Sequence, residues 1–212
     1  MALLQAKLAA QPIYNAPGDW FSLADETLQR IGELFGKWNQ GVDANALMFH
    51  FDQLLFEGHY YSHMIGQDQA YRQPNVALAK LVGREMADEE IYFLRGFVND
   101  IVSGRYTVGG VIQEARLMNR AGLYVGKMRG TASKGFVDAS PRGAEFVWTL
   151  GGSEDKCAEC PELAALSREV PFTANTLFQH PGDGSTPCLG NCKCTLVRVS
   201  DGAQSQKPKE TQ

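Results

Sequence analysis

The chain has 212 residues, of which 44% are hydrophobic and 21% charged, and its net charge is −4. This composition is typical of one or two folded domains and excludes a fibrous or largely disordered chain. The mild charge does not favour a dominant nucleic-acid partner, and the lack of an apolar run of about 18 residues argues against a membrane partner. No signal peptide is evident at the start, so we expect the cysteines to stay reduced.

The chain begins with a segment, residues 1–19, that we predict to be an N-terminal arm, because Pro12 and Pro17 interrupt any continuous element. Its leucines would allow it to dock on its own domain or on a neighbouring subunit. An unordered terminus is the alternative.

Residues 20–136 are predicted to form a helical domain, because apolar residues recur there at helical spacing. A first helix is expected from an N-cap at Ser22 to Gly41, and a second from a cap at Asp43 to a stop before Pro74. A short helix over residues 76–84 is expected next.

Two further helices complete the predicted helical domain. One starts near Ala87, with the acidic residues 88–90 in its first turn, where they suit the positive end of the helix dipole, and closes near Gly104. The other covers residues 111–135, although Gly126 and Gly130 each weaken it by roughly 1 kcal/mol relative to Ala.

The last predicted helix carries a basic stripe of Arg116, Arg120, Lys127 and Lys134, which share one face at 3.6 residues per turn. A solvated surface is the simpler interpretation of this stripe. The alternative is an electrostatic contact with nucleic acid or with an acidic protein partner.

After residue 136 the pattern changes to a Cys-rich, zinc-ribbon-like module over residues 137–199. Two strands are expected at residues 144–150 and 193–199, with a short helix at residues 161–167 between them. Residues 200–212 lack large apolar side chains and predict a disordered tail. The fold class is therefore α+β: a mainly helical N-terminal and central region followed by a small metal-stapled β-hairpin module.

All five cysteines lie in this module, spaced Cys157-x2-Cys160 and Cys188-x3-Cys192-x-Cys194. A Cys-x2-Cys knuckle followed by a second cluster is the spacing of a tetrahedral, structural zinc site. We favour the first four of these cysteines as ligands, with Cys194 as a possible substitute and His180 as an outside candidate. Four thiolates would fill the site and leave no position for a catalytic water.

An enzyme is the less favoured alternative. Cys157-x-Glu159 and Pro187-Cys188 echo the zinc deaminases, in which a glutamate moves protons for a zinc-bound water, but the second half is one residue too long. His59-x3-His63 could grip a metal from one helical face, yet no third ligand is evident. We expect these two histidines to be solvent-exposed or at the edge of the core.

The order of residues from about 112 to 199 resembles the C-terminal region of the Mu F-like phage head-morphogenesis proteins, also called minor head proteins. The resemblance rests on a helix with Arg and small residues at 115–121, and then on Trp148, Asp155, Cys157-x2-Cys160, Leu163 and Cys192-Lys-Cys-Thr-Leu196. Two departures are that Lys193 replaces an Arg and that Cys188 takes the place of a family His.

The resemblance implies a structural virion protein of the head or neck, assembled in the host cytoplasm, that acts in head assembly and in DNA packaging or ejection by docking. Its implied partners are portal, capsid or neck proteins in a symmetric multi-copy assembly, with packaged DNA as a further contact, and its implied cofactor is structural Zn²⁺. The competing interpretation is a cytoplasmic zinc-ribbon protein that binds nucleic acid.

Overall fold

The computed structural model describes residues 20–38, 43–152 and 157–199. The helices of this part of the chain are α1 (Trp20–Trp38), α2 (Ala44–Gln69), α3 (Val76–Val102), α4 (Glu114–Ala139) and α5 (Glu159–Glu169). Its strands are β1 (Thr107–Val108), β2 (Val111–Ile112), β3 (Glu145–Thr149), β4 (Phe172–Thr173) and β5 (Thr195–Arg198), and Leu189–Asn191 forms a 3₁₀ turn. The predicted arm and tail lie outside the described residues. The described helices include none with the length and apolar character needed to cross a bilayer.

The helices α1 to α4, which we call the helical body, pack around one apolar core. The centre of this core is aromatic: the ring centroid of Phe35 lies 5.6 Å from that of Phe51 and 6.0 Å from that of Phe97. Phe97 also meets Tyr124 of α4 at 5.9 Å. Each of these side chains is almost completely buried, so the amphipathic faces seen in the sequence converge as the helical pattern predicted.

The start of α2 confirms the cap predicted at Asp43. The Asp43 carboxylate accepts hydrogen bonds from the backbone N–H groups of Asn45 and Ala46 at 2.8 and 2.9 Å, which satisfies two of the orphan donors of the helix. The cap predicted at Ser22 is wrong, because α1 already begins at Trp20.

The helix α3 corrects the prediction of two separate helices over residues 76–104. It runs without a break from a cap at Asn75, whose side chain accepts from the N–H of Leu78 at 3.0 Å, and ends beside Ser103. An ion pair of 2.9 Å between Arg84 and Asp88 spans the expected break. The acidic residues 88–90 therefore lie in the middle of a helix rather than in a first turn.

The helix α4 begins three residues later than predicted and continues four residues beyond residue 135. Residues 107–112 form a small hairpin instead, in which Val108 pairs with Val111 across Gly109 and Gly110, both at positive φ. At two other positions within α4, close neighbours leave no room for any residue larger than glycine. A Cβ at Gly130 would clash with the backbone of Asp183, and one at Gly135 would clash with the carbonyl of His63.

The strands β3 and β5 pair antiparallel, as predicted, with Trp148 opposite Leu196. A third strand, β4, which the sequence did not predict, pairs with the other edge of β3. These strands, α5 and the loops between them form the C-terminal module, whose own core contains the fully buried Phe146 and Trp148. Val137, in the last turn of α4, joins this second core. The domain boundary predicted at residue 136 thus falls inside α4.

Candidate metal centre

The five cysteine side chains come from three segments of the C-terminal module. Cys157 and Cys160 lie at the start of α5, Cys188 and Cys192 flank the 3₁₀ turn, and Cys194 precedes β5. The antiparallel pairing of β3 with β5 brings together the two ends of the segment that contains the cysteines. The sequence prediction that both cysteine clusters would converge is therefore met by the fold.

The sulfur atoms lie within metal-binding distance of one another. Cys160 Sγ is 3.1 Å from Cys157 Sγ and 3.8 Å from the Sγ atoms of both Cys188 and Cys192. Among the described residues, His, Cys, Asp and Glu side chains form only two groups with three or more ligand atoms all within 4.8 Å: Cys157, Cys160 and Cys188, and Cys160, Cys192 and Cys194. His180, the outside candidate, belongs to neither group.

The thiols of this centre do not ionise with equal ease. Burial raises the pKa of the Cys160 thiol, and it raises the pKa of the Cys192 thiol to about 12. At Cys157 burial also raises the pKa, but hydrogen bonds from Cys160 and Cys188 outweigh it and leave the pKa below its ordinary value. Since thiolates bind metals, a cation that stabilises the ionised sulfurs would offset the cost of burying them.

Arg129 of α4 connects this centre to the helical body. Its guanidinium donates to the carbonyl oxygens of Cys192 at 3.0 Å and Lys193 at 3.2 Å, and it lies 5.5 Å from the ring centroid of Trp20 in α1. Burial lowers the pKa of Arg129, while the charges of Cys192 and Cys194 raise it. Sequence reasoning missed this residue, because it lies off the predicted basic stripe and its partners are more than 60 residues away.

The predicted basic stripe divides into two halves. Lys127 pairs with the buried carboxylate of Glu90 at 3.2 Å, and Lys134 pairs with Asp138 at 3.1 Å. Arg116 and Arg120 are exposed, with their guanidinium groups 5.9 Å from the ring centroids of Tyr106 and Tyr124. Only the N-terminal half of the stripe therefore presents exposed positive charge.

The two histidines predicted to be exposed or at the edge of the core are fully buried between helices. His59 Nδ1 lies 2.7 Å from the Thr131 hydroxyl and His63 Nε2 lies 3.0 Å from Asp138 Oδ2. The prediction failed because both partners come from α4, 72 and 75 residues further along the chain. These contacts make the histidines part of the packing between α2 and α4.

The hydrogen bonds around His63 also define its tautomer. The N–H of Asn75 donates to Gln67 Oε1, so the amide nitrogen of Gln67 faces His63 Nδ1, 2.6 Å away. That nitrogen can only donate, so Nδ1 accepts and the proton of a neutral imidazole lies on Nε2. This arrangement lets His63 Nε2 donate to Asp138 Oδ2.

No protein-family model, curated protein or solved structure matches this chain. The resemblance to the Mu F-like head proteins stays a prediction from the residues quoted above. Three of those residues, Trp148, Leu163 and Leu196, lie in the core of the C-terminal module with the cysteines, whereas Asp155 lies outside the described residues.

Proposed function

We propose that this protein is a structural component of a bacteriophage head or neck that works by docking and whose C-terminal module is stabilised by zinc. The observation that carries the proposal is the convergence of five cysteines on the sheet that contains Trp148, in the residue order of the Mu F-like proteins. Zinc is the metal that fits thiolate ligands at this spacing.

The position of the cysteines supports a structural rather than a catalytic role for the metal. Cys160, Cys192 and Cys194 are buried, and their surroundings are the apolar side chains of the second core. Glu159, the residue that would move protons in a deaminase, is exposed on the first turn of α5. The deaminase alternative therefore receives no support from the arrangement of these groups.

A contact with packaged DNA would use Arg116 and Arg120. These two side chains are exposed, whereas the charges of Lys127 and Lys134 are engaged within the helical body. Two phosphate contacts per chain give weak, salt-dependent binding that becomes appreciable only when many copies act together. This favours a multi-copy assembly over a monomeric nucleic-acid-binding protein.

The zinc part of the proposal is tested by elemental analysis of the protein after gel filtration without chelator. We expect zinc to remain bound through the column, and we expect removal of zinc to expose residues 145–198 to protease while α1 to α4 stay protected. A metal-free protein with a protected C-terminal module would contradict the proposal.

The virion part is tested by sedimentation of particles from a phage lysate in which the gene carries an epitope tag. We expect the tagged protein to sediment with DNA-filled heads. The variant Cys160→Ser should be lost from the particles, whereas Glu162→Gln, an exposed change on the same helix, should remain. Tagged wild-type protein found only at the top of the gradient would refute a virion role.

A further inference from the structure

The sulfur atoms are arranged as two triads that share one member. Cys160 belongs both to the group with Cys157 and Cys188 and to the group with Cys192 and Cys194. In the described part of the chain no four of these sulfurs lie mutually within 4.8 Å. A single tetrahedral ion with four thiolates needs four such neighbours, so this arrangement differs from the one expected from the sequence.

In each triad one distance from the shared sulfur fits metal coordination, whereas Cys157 Sγ, at 3.1 Å from Cys160 Sγ, would have to move outward to bind the same ion. A zinc–sulfur bond of about 2.3 Å places two sulfurs of one tetrahedral ion about 3.8 Å apart. Cys160 Sγ has this separation from Cys188 Sγ in one triad and from Cys192 Sγ in the other. A thiolate has enough lone pairs to bind two ions, so Cys160 can act as a bridge.

Charge also favours two ions over one. One divalent ion with four thiolates leaves two negative charges in a largely buried cluster, and the fifth cysteine stays a neutral thiol without a ligand role. Two divalent ions leave one negative charge, and the guanidinium of Arg129 lies beside the second triad to offset it. The Thr186 hydroxyl, buried and 3.1 Å from Cys188 Sγ, supplies an oxygen beside the first triad.

We propose that this centre binds two zinc ions, one in each sulfur triad, with the thiolate of Cys160 bridging them. The proposal rests on the zinc centre proposed above and defines its stoichiometry. It assigns a use to the fifth cysteine, for which a site with four ligands has none. Each ion has three protein thiolates, and the buried Thr186 hydroxyl lies beside the first triad as a further donor.

Native mass spectrometry of the full chain, purified with zinc and then passed through gel filtration, counts the bound ions. We expect two zinc ions per wild-type chain and one in each of Cys188→Ser and Cys194→Ser, which are matched because each removes a ligand from a different triad. Cys160→Ser should reduce the count to less than one.

Substitution of wild-type protein with ¹¹³Cd gives a second readout that needs no variant. Two resonances that are scalar-coupled to each other are expected, because coupling between the two nuclei requires a bridging thiolate. One zinc ion per chain, together with a single ¹¹³Cd resonance, would overturn the two-ion centre and leave the zinc-stabilised module standing. A chain that retains no metal at all would overturn both proposals.

Discussion

The helical body and the C-terminal module reach their folded states by different means. The helical body buries a continuous set of aromatic and aliphatic side chains from four helices, with Phe51, Phe97 and Leu117 at most 1% exposed. The C-terminal module has a far smaller core, in which Phe146 and Trp148 share the interior with three buried cysteines. The first region is held by apolar contact, and in the second we propose that a metal bound by the cysteines adds to the smaller apolar core.

The contrast implies that the two regions should lose stability in response to different changes. Loss of apolar surface should act on the helical body, and loss of metal ligands should act on the C-terminal module. Arg129 and the last turn of α4 are the places where the two regions meet. Changes there should report on how strongly the two responses are coupled.

The largest effect is expected from Cys160→Ser, because Cys160 belongs to both sulfur groups. Metal binding in small zinc modules is worth on the order of 10 kcal/mol, so its loss should unfold residues 145–198. Hydrogen exchange should show fast exchange in β3 to β5 and unchanged protection in α2 and α4. Protection retained in β3 would mean that the apolar core alone maintains the module.

The converse change, Phe97→Ala, should destabilise the helical body by about 3–5 kcal/mol, since it removes an aromatic ring from a fully packed core. Phe97 contacts the rings of Phe35, Phe51 and Tyr124. Urea unfolding followed by circular dichroism measures the loss. Tyr92→Ala, at a side chain 78% exposed on the same helix, is the control and should change stability by less than about 0.5 kcal/mol.

An intermediate effect is expected at the junction from Arg129→Gln. This change removes two charge-assisted hydrogen bonds to the carbonyls of Cys192 and Lys193, and we expect a loss of about 1.5–3 kcal/mol. Protease cleavage between α4 and β3 should become faster while zinc stays bound. Arg168→Gln, an exposed change on α5, should leave the cleavage rate unaltered. Simultaneous loss of metal would show that Arg129 supports the centre itself.

The smallest effect concerns pH. Burial lowers the pKa of His180 below its ordinary value of 6.5, so the unfolded state binds a proton more readily than the folded state. Stability is then complete above about pH 7 and is lost as the pH falls from 6.5 through the folded pKa. The variant His180→Gln should flatten the pH dependence of the urea midpoint in this range, while pH 8 serves as the reference.

A second loss of stability is expected at lower pH, where the carboxylate of Asp138 becomes protonated. Burial raises the pKa of its carboxyl group, but hydrogen bonds from His63 and Lys134 outweigh burial and hold the pKa below its ordinary value of 3.8. The stability that Asp138 contributes is therefore present above that value and is lost as the pH falls through the folded pKa. Asp138→Asn should remove this step, and because the Asp138 charge raises the pKa of His180, it should also move the His180 step to lower pH.

Several elements of both regions could be predicted from local signals. Asp43 is a capping residue with two backbone donors within reach, and the strands β3 and β5 have the aromatic and β-branched composition of strands. The division of α3 into two helices was wrong for an equally local reason. Acidic residues 88–90 indicate a helix start by composition, whereas here Glu90 is buried opposite Lys127 and His59 of other helices.

The features that could not be predicted from the sequence depend on contacts between residues far apart along the chain. The burial of His59 and His63 depends on α4. Gly130 and Gly135 of α4 are required by the backbones of the loop at Asp183 and of α2. The spacing of the cysteines predicted that they would meet, but not that Cys160 would lie between two groups. That position follows from the placement of α5 against β3, which has no local sequence signal.

The order of the regions along the chain has a consequence for biosynthesis. Every cysteine follows α4 in the sequence, so a ribosome will have released the whole helical body before it completes the first triad. Domains emerging from the tunnel fold as units, N-terminal first. If the C-terminal module binds zinc as proposed, newly made molecules should accumulate with a folded helical body and an unfolded C-terminal module when zinc is scarce, and later addition of the ion should complete their folding.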